Sequence, residues 1–526
     1  MNYSKPKSAA RIPTIGAVLL VCAGAITHPL GALAQGAPQT SQSQHTLATQ
    51  LPLSGRGGQS GSVTAVEAPI AGTTNSVTTI NPSVQVQGAY GGSSSSMGAM
   101  PFSGKLSLRD AIQRGLTYNL GATGLNRAVR QAQGQTQIAR SSLLPNVSGY
   151  LAENLTQVNL AAEGFRIHIP IPGFTFPTIV GPYNNIDLRG SVSQSVLDLT
   201  AINNYRASKE GYHAAQFTAR DARDAVVLAV CGAYLQVLAT AERVKSAHAQ
   251  LDTATALYKQ SVDERQAGIV AQVDADRSEV EQLTQQQRVI SLETELAKEK
   301  IALARMTGLP SGAEYELTDT VPFTAAPALE LDAAIREALQ QRADIKAAEA
   351  QVRAAEHALT AAHDERLPSL TVNGNYGAIG TNPAQAAATF SAAATLNIPI
   401  WQGGRTEGDI HEAEATLAQR QAELEDLKGQ VEGDVRNAYL DLQAATSQVK
   451  LAQRNLQVTQ ETLTLTRQRF DAGVTDNVEV VQAQESLTSA ELDQINSVFA
   501  HNLAKLSLAR AVASAGDNLQ GFLDLK

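Results

Sequence analysis

The side chains whose type and spacing point to chemistry are two acids. Asp274 and Glu479 stand 205 residues apart, and each follows a glycine, Gly268 or Gly473, by six positions. Gln482 lies three residues beyond Glu479. Carboxylates brought close to one another favour cations and raise one another's pKa. That chemistry is electrostatic, and no bond is made or broken. Nothing else in the chain suggests catalysis. The nine histidines are scattered, and no His/Cys/Asp cluster has metal-ligand spacing. There is no phosphate-binding or dinucleotide glycine fingerprint, and the serine-rich runs carry no nucleophile elbow. The sequence therefore predicts neither an enzyme nor a cofactor site. A formal charge of −9 argues against nucleic acid as a partner.

The elements that must position the two acids are long helices. After Pro399 the chain runs from Gln402 to Lys526 without a proline, and Pro182 to Pro310 is a second proline-free window. Proline breaks helix interiors, so these windows are where helices can be long. Each is interrupted by one turn signal, Ala267-Gly268 or Ala472-Gly473. Helical hairpins are expected over about 199–307 and 403–513. Apolar residues recur every seven positions at Val435, Leu442, Val449, Leu456, Leu463 and Phe470, and earlier at Val230, Val237, Val244, Leu251 and Tyr258. Small residues such as Ala438, Ala445, Ala247 and Ala254 accompany them. This is the pattern of a close-packed coiled coil.

The two windows repeat one another. Ala233-Tyr234-Leu235 matches Ala438-Tyr439-Leu440, and Leu303-Ala304-Arg305 matches Leu508-Ala509-Arg510, again 205 apart. Upstream, Leu106 to Ile112 pairs with Leu329 to Ile335, each opening a helix that ends near Pro145 or Pro368. That offset is 223, so the first copy carries about 18 extra residues between its strands. The expected fold is a duplicated helix–strand–strand–long helical hairpin unit. Strands are expected over about 146–160, 184–197, 369–379 and 389–401. In them apolar and polar residues alternate, as at Leu370, Val372 and Tyr376 against Thr371, Asn373 and Asn375. Residues 164–182, apolar and proline-rich, read as an external loop.

The remaining stretches read as accessories. Lys5, Lys7 and Arg11, an apolar run from Ile15 to Ile26, and Ala32-Leu33-Ala34 predict a secretory signal over 1–34. Its removal takes three bases and no acid, so the exported chain is more negative still. Cys22 falls in that signal, and Val21 before it suits lipid attachment poorly. Cys231 then has no disulfide partner and reads as a packed thiol. Residues 35–103 are rich in Ser, Gly, Gln and Thr and read as a disordered extension. Residues 104–310 and 328–513 form the two repeats, 311–327 the linker and 514–526 a tail.

The four strands are long enough to cross a bilayer when tilted, which takes roughly 9–11 residues, but their edges would be open to lipid. A closed barrel needs about eight or more strands. Three chains would supply twelve, with twelve long helix segments below them enclosing a water-filled duct. In such a trimer the two acids would form rings of like charge.

This organisation resembles the TolC-like outer-membrane efflux proteins over roughly residues 104–513. The resemblance is carried by Ala267-Gly268-Ile269-Val270-Ala271-Gln272-Val273-Asp274 and by Phe470-Asp471-Ala472-Gly473-Val474-Thr475-Asp476-Asn477-Val478-Glu479-Val480. It implies a mainly α fold with a membrane β-barrel: a homotrimer with a twelve-stranded barrel in the outer membrane and an α-barrel across the periplasm. It also implies a periplasmic adaptor protein and an inner-membrane transporter as partners. Gly268, Ile269, Val270, Ala271, Gly473, Val474 and Thr475 would be the adaptor-docking tips. Asp274, Glu479 and Gln482 would be the periplasmic gate. Gln482 stands where some members have a second acid, and Thr475 where some carry a locking arginine. The function implied is a passive exit duct, for small molecules or for secreted protein. A structural coiled-coil envelope protein is the competing reading, which would explain the helices but not two amphipathic strand pairs; an exported hydrolase is a third, with no catalytic motif to support it.

Overall fold

In the computed structural model, the described residues are 48–50, 62–69, 80–94, 101–162, 164, 177–320, 323–324, 330–475 and 477–513. The expected signal (1–34), most of the external loop (165–176), part of the linker and the tail (514–526) lie outside them.

Three short strands come first: β1 (Ala48–Gln50), β2 (Ser62–Pro69) and β3 (Ile80–Gln87), paired antiparallel in that order. The expectation of disorder over 35–103 is corrected for 80–94; of the other described pieces, 62–69 pairs with that segment and 48–50 pairs with 62–69. Val84 and Val86 pack against the main core, and Tyr90, in a 3-10 turn at Gly88–Gly91, is buried. The stretch has too few apolar residues for a core of its own, and it uses the core of the helices. Gly232 makes the close approach possible: a Cβ there would lie 3.0 Å from Val84 Cγ1.

β4 (Lys105–Leu106) leads into α1 (Leu108–Tyr118) and α2 (Leu120–Ser141). Then come β5 (Asn146–Asn159), β6 (Ile179–Leu197), α3 (Leu199–Gln266) and α4 (Gln272–Met306). The second half runs β7 (Glu316–Leu317), α5 (Leu331–Gln341), α6 (Ala343–Asp364), β8 (Ser369–Gly380), β9 (Ala387–Asn397), α7 (Arg405–Asp471) and α8 (Asn477–Ala511). A single helix was expected where α1 and α2, and again α5 and α6, now stand. Asn119 and Arg342 break each run with extended backbone, ψ 134° and 132°. Asn119 also caps α2, its side chain accepting from Gly121 N at 2.9 Å.

α3 holds 68 residues and α7 67, each about 100 Å long. α3 is apolar enough over one stretch to span a membrane, but 78% of that stretch is buried inside the protein. It is the core helix. Val226, Val230, Tyr234 and Val237 meet Leu106, Leu303, Phe499 and Leu506 around it. A second cluster gathers Ile345, Val431, Val435, Leu442 and Leu508. The heptad stripe is thus the buried face, with Ala438, Ala445 and Ala247 letting the helices approach. The linker is pinned back onto the first half: Asp319 Oδ2 accepts from Leu108 N at 2.6 Å and from Tyr234 Oη at 2.7 Å.

The four longer strands form one antiparallel sheet in the order β5-β6-β8-β9. β6 begins at Ile179, five residues before the expected 184, continuing past a register shift between Thr156 and Val158 and the positive-φ Gly181. β9 ends at Asn397 rather than 401, before Pro399, which cannot donate to a ladder.

Candidate functional site

The two helical turns are built alike. Gly268 (φ 74°) and Gly473 (φ 70°) take the left-handed conformation that ends a helix. In the first turn Gly268 N donates to Arg265 O and Ile269 N to Glu264 O, at 3.0 and 2.9 Å. In the second, Gly473 N donates to Phe470 O and Val474 N to Arg469 O, at 2.8 and 2.9 Å. Each turn therefore satisfies the last carbonyls of α3 or α7 and reverses the chain within a few residues. Open space surrounds both glycines. Ile269 and Val474 are exposed (72% and 67%), while Val270 and Thr475 are half-buried and Ala271 is exposed. Val273 and Val478, also 205 apart and exposed, extend the apolar tips; the repeat spacing could have singled them out.

The acids sit in the first turn of the following helices and on different hairpins. Asp274 faces Arg277 at 3.4 Å, and Glu479 faces Arg469 at 3.6 Å across its own turn. Gln482 is exposed one turn further along α8. Each acid has a base beside it on its own hairpin.

Sequence reasoning missed the polar seam between the hairpins, where α3 meets α8. Arg243 donates through Nε and Nη2 to Asn496 Oδ1, at 3.0 and 2.7 Å. Ser246 Oγ and Gln250 Nε2 donate to Glu491 Oε2, at 2.6 and 2.9 Å. Burial lowers the Arg243 pKa, with Glu295 and Glu299 acting against it. Burial likewise raises the Glu485 carboxyl, and nearby Glu281 raises it further. Arg243, Gln250 and Asn496 break the heptad pattern only by being polar on a buried face, and no spacing marks them.

The sheet has two unlike faces. Leu151, Leu188, Val192, Tyr376, Phe390 and Leu396 are large, apolar and exposed on one. The other carries a polar ladder. Ser148 and Ser191 hydroxyls meet at 2.7 Å, Ser193 Oγ donates to Asn373 Oδ1 at 2.6 Å, and Asn375 Nδ2 donates to Ser391 Oγ at 2.7 Å. Among the described residues no group of three or more His, Cys, Asp or Glu is placed to hold a metal.

Known proteins share this organisation. The pyoverdine export outer membrane protein OpmQ of Pseudomonas aeruginosa is 24% identical over 432 residues, covering 78% of this chain and 83% of its own. The outer membrane protein TolC of Vibrio cholerae is 24% identical over 300 residues, covering 56% and 68%. Among solved structures, the CmeC outer membrane channel of Campylobacter jejuni superposes with a TM-score of 0.67 at 17% identity, over 78% of this chain and 86% of that one. The model of the outer membrane efflux protein family matches residues 125–309 and 334–514, the stretches that hold both helical turns and the sheet. On that match the chain belongs to the outer membrane efflux protein family, and its place is the cell outer membrane, with the long helices in the periplasm.

Proposed function

We propose that three copies of this chain close into a passive exit duct of a tripartite export system. The observation that carries this reading is the four-stranded sheet, apolar and exposed on one face and polar on the other, with β5 and β9 left as open edges. Lipid cannot satisfy an open edge, and closure of three sheets into twelve strands removes it. Apolar side chains exposed along α4 (Val280, Ile290, Ile301) and α7 (Leu451, Val458, Leu465) support the same assembly, α7 of one copy lying against α4 of the next. The chain is read as two copies of one unit, 104–310 and 328–513, joined by the 311–327 linker and exported by the 1–34 signal.

In this assembly the turns at Gly268–Ala271 and Gly473–Thr475 are the periplasmic tips. Their exposed Ile269 and Val474 fit the helical hairpin of a periplasmic adaptor, which links the duct to an inner-membrane transporter. Asp274 and Glu479 form rings across the three copies, where their carboxylates narrow the closed end. Gln482 lies on the same stretch of α8. Energy for transport comes from the partner pump.

Planar-bilayer recording of the purified protein, with its mass measured in detergent, tests the reading. A trimer that opens discrete ion-conducting pores is expected. A lone chain, soluble without detergent and silent in the bilayer, overturns it and favours a structural coiled-coil role.

A further inference from the structure

The four strands β5, β6, β8 and β9 carry three charged residues in all: Glu153, Asp187 and Arg189. Register sorts them by face. Glu153 is opposite Ile186 and shares the apolar face with Leu151 and Leu188. Asp187 and Arg189 lie two residues apart on β6, in line with Ser191 and Ser193 of the polar ladder. The polar face of the sheet thus holds one acid and one base, and they hold each other. Arg189 Nε donates to Asp187 Oδ1 at 2.6 Å, and its Nη2 meets the other carboxylate oxygen. This forked pairing fixes the guanidinium plane.

The wall beside the pair is shaped for it. The cross-strand partners of Arg189 are Tyr150 on β5 and Gly377 on β8. A Cβ at 377 would lie 2.6 Å from Arg189 Cγ and 2.0 Å from the Leu188 carbonyl oxygen. Glycine there lets the arginine stem lie flat on the sheet instead of standing off it. Asp187 is 8% exposed, although it lies on an open sheet face. The two charges are folded down onto the wall and onto each other.

We propose that Asp187 and Arg189 set the charge selectivity of the barrel lumen, and do so by cancelling. The inference rests on the duct reading, which turns the polar face inward. Three copies then place three neutralised pairs around the lumen, whose strands bear no other charged side chain. Cargo of either sign meets a polar wall without a net fixed charge, and selection by charge is left to the tips. Loss of one partner turns the ring into three like charges in a confined space, where fields are strong.

The test is ion selectivity in planar bilayers under a salt gradient. It uses full-length Arg189→Gln, Asp187→Asn and the double variant, each checked for trimer by mass in detergent. The same set in a chain with Asp274→Ala and Glu479→Ala keeps the tip acids from dominating the reading. Arg189→Gln is expected to shift the reversal potential toward cation preference and Asp187→Asn toward anion preference, with the double variant returning to the parent value. A purely structural role would not move the two singles in opposite directions. Trimeric, conducting singles that keep the parent value, or that shift in the same direction, overturn the proposal and leave the duct standing. A parent chain that forms no pore overturns both.

Discussion

The Arg510 guanidinium donates to the Asp221 carboxylate, 289 residues earlier in the chain, and so ties the end of α8 to α3. Both are buried, Arg510 to 1% exposure and Asp221 to 4%. A second pair stands close by: Arg342 Nη2 meets Asp344 at 2.8 Å, and its Nη1 meets Asp434 at 3.2 Å. Burial raises the Asp221 pKa, and Arg510 is the main influence pulling it back. Removing one partner of such a pair strands the other charge, at a cost of about 3–5 kcal/mol. Arg510→Met is therefore expected to lower the thermal midpoint of the detergent-solubilised protein clearly. Arg510→Met combined with Asp221→Leu, which leaves no stranded acid at 221, should recover part of that loss. A single variant as stable as the parent would show that the pair holds nothing together.

His501 gives the helical body an acid sensitivity. It is fully buried on α8, its ring 4.8 Å from that of Phe323, and burial together with Lys505 lowers its pKa from 6.5 to about 4. The unfolded chain takes up this proton as pH falls through about 6.5, and the folded chain only near 4. Stability should therefore fall as pH drops across that window, by on the order of 3 kcal/mol for this residue. Urea unfolding at pH 7.5 and 4.5 checks it. His501→Leu should flatten the difference, and an unchanged pH slope in that variant would assign the effect elsewhere.

The tip glycines are testable one at a time. Gly473→Val places a branched side chain at φ 70°, a strain of roughly 1–2 kcal/mol confined to the turn. It should weaken capture of the adaptor in a pull-down while the trimer still forms. Transport and capture equal to the parent would remove this turn from the docking surface.

The acids make a separate prediction. Asp274→Ala with Glu479→Ala should raise the leak conductance of the isolated pore or reduce its cation preference. A pore indistinguishable from the parent would take both residues out of the gate.

Gly377 has little freedom to change. The 2.0 Å approach of a Cβ to the Leu188 carbonyl oxygen involves backbone, which cannot step aside without parting β6 from β8. Gly377→Val is expected to cut the yield of folded trimer in outer-membrane fractions. Yield equal to the parent would mean that the sheet yields more easily than this packing implies.

What could be read in advance follows from where the physics is local. Period two in Leu370–Tyr376 and period seven in Val435–Leu463 are imposed by burial on one face, so they show in the sequence directly. Gly268 and Gly473 were legible because a left-handed turn selects for glycine. The breaks at Asn119 and Arg342 were not, because what holds them lies far away in the chain. Asn119 Nδ2 donates to Tyr90 O at 2.6 Å, and Arg342 reaches Asp434. The docking of 80–94 was hidden for the same reason: three side chains, Val84, Val86 and Tyr90, anchor a stretch whose composition alone predicts disorder. The Arg243–Asn496 seam is polar on a buried face and becomes visible only once α8 lies beside α3.

The contact of Val84 with Gly232 fixes an address. Gly232 lies about halfway along α3, some 50 Å from either end of that helix. A fluorophore or affinity handle inserted just ahead of residue 80 would therefore sit beside the middle of α3, about 50 Å from the turn at Gly268 and as far from the start of the helix at the sheet. In the duct proposed above, it would report from between the sheet and the helical turns without touching either.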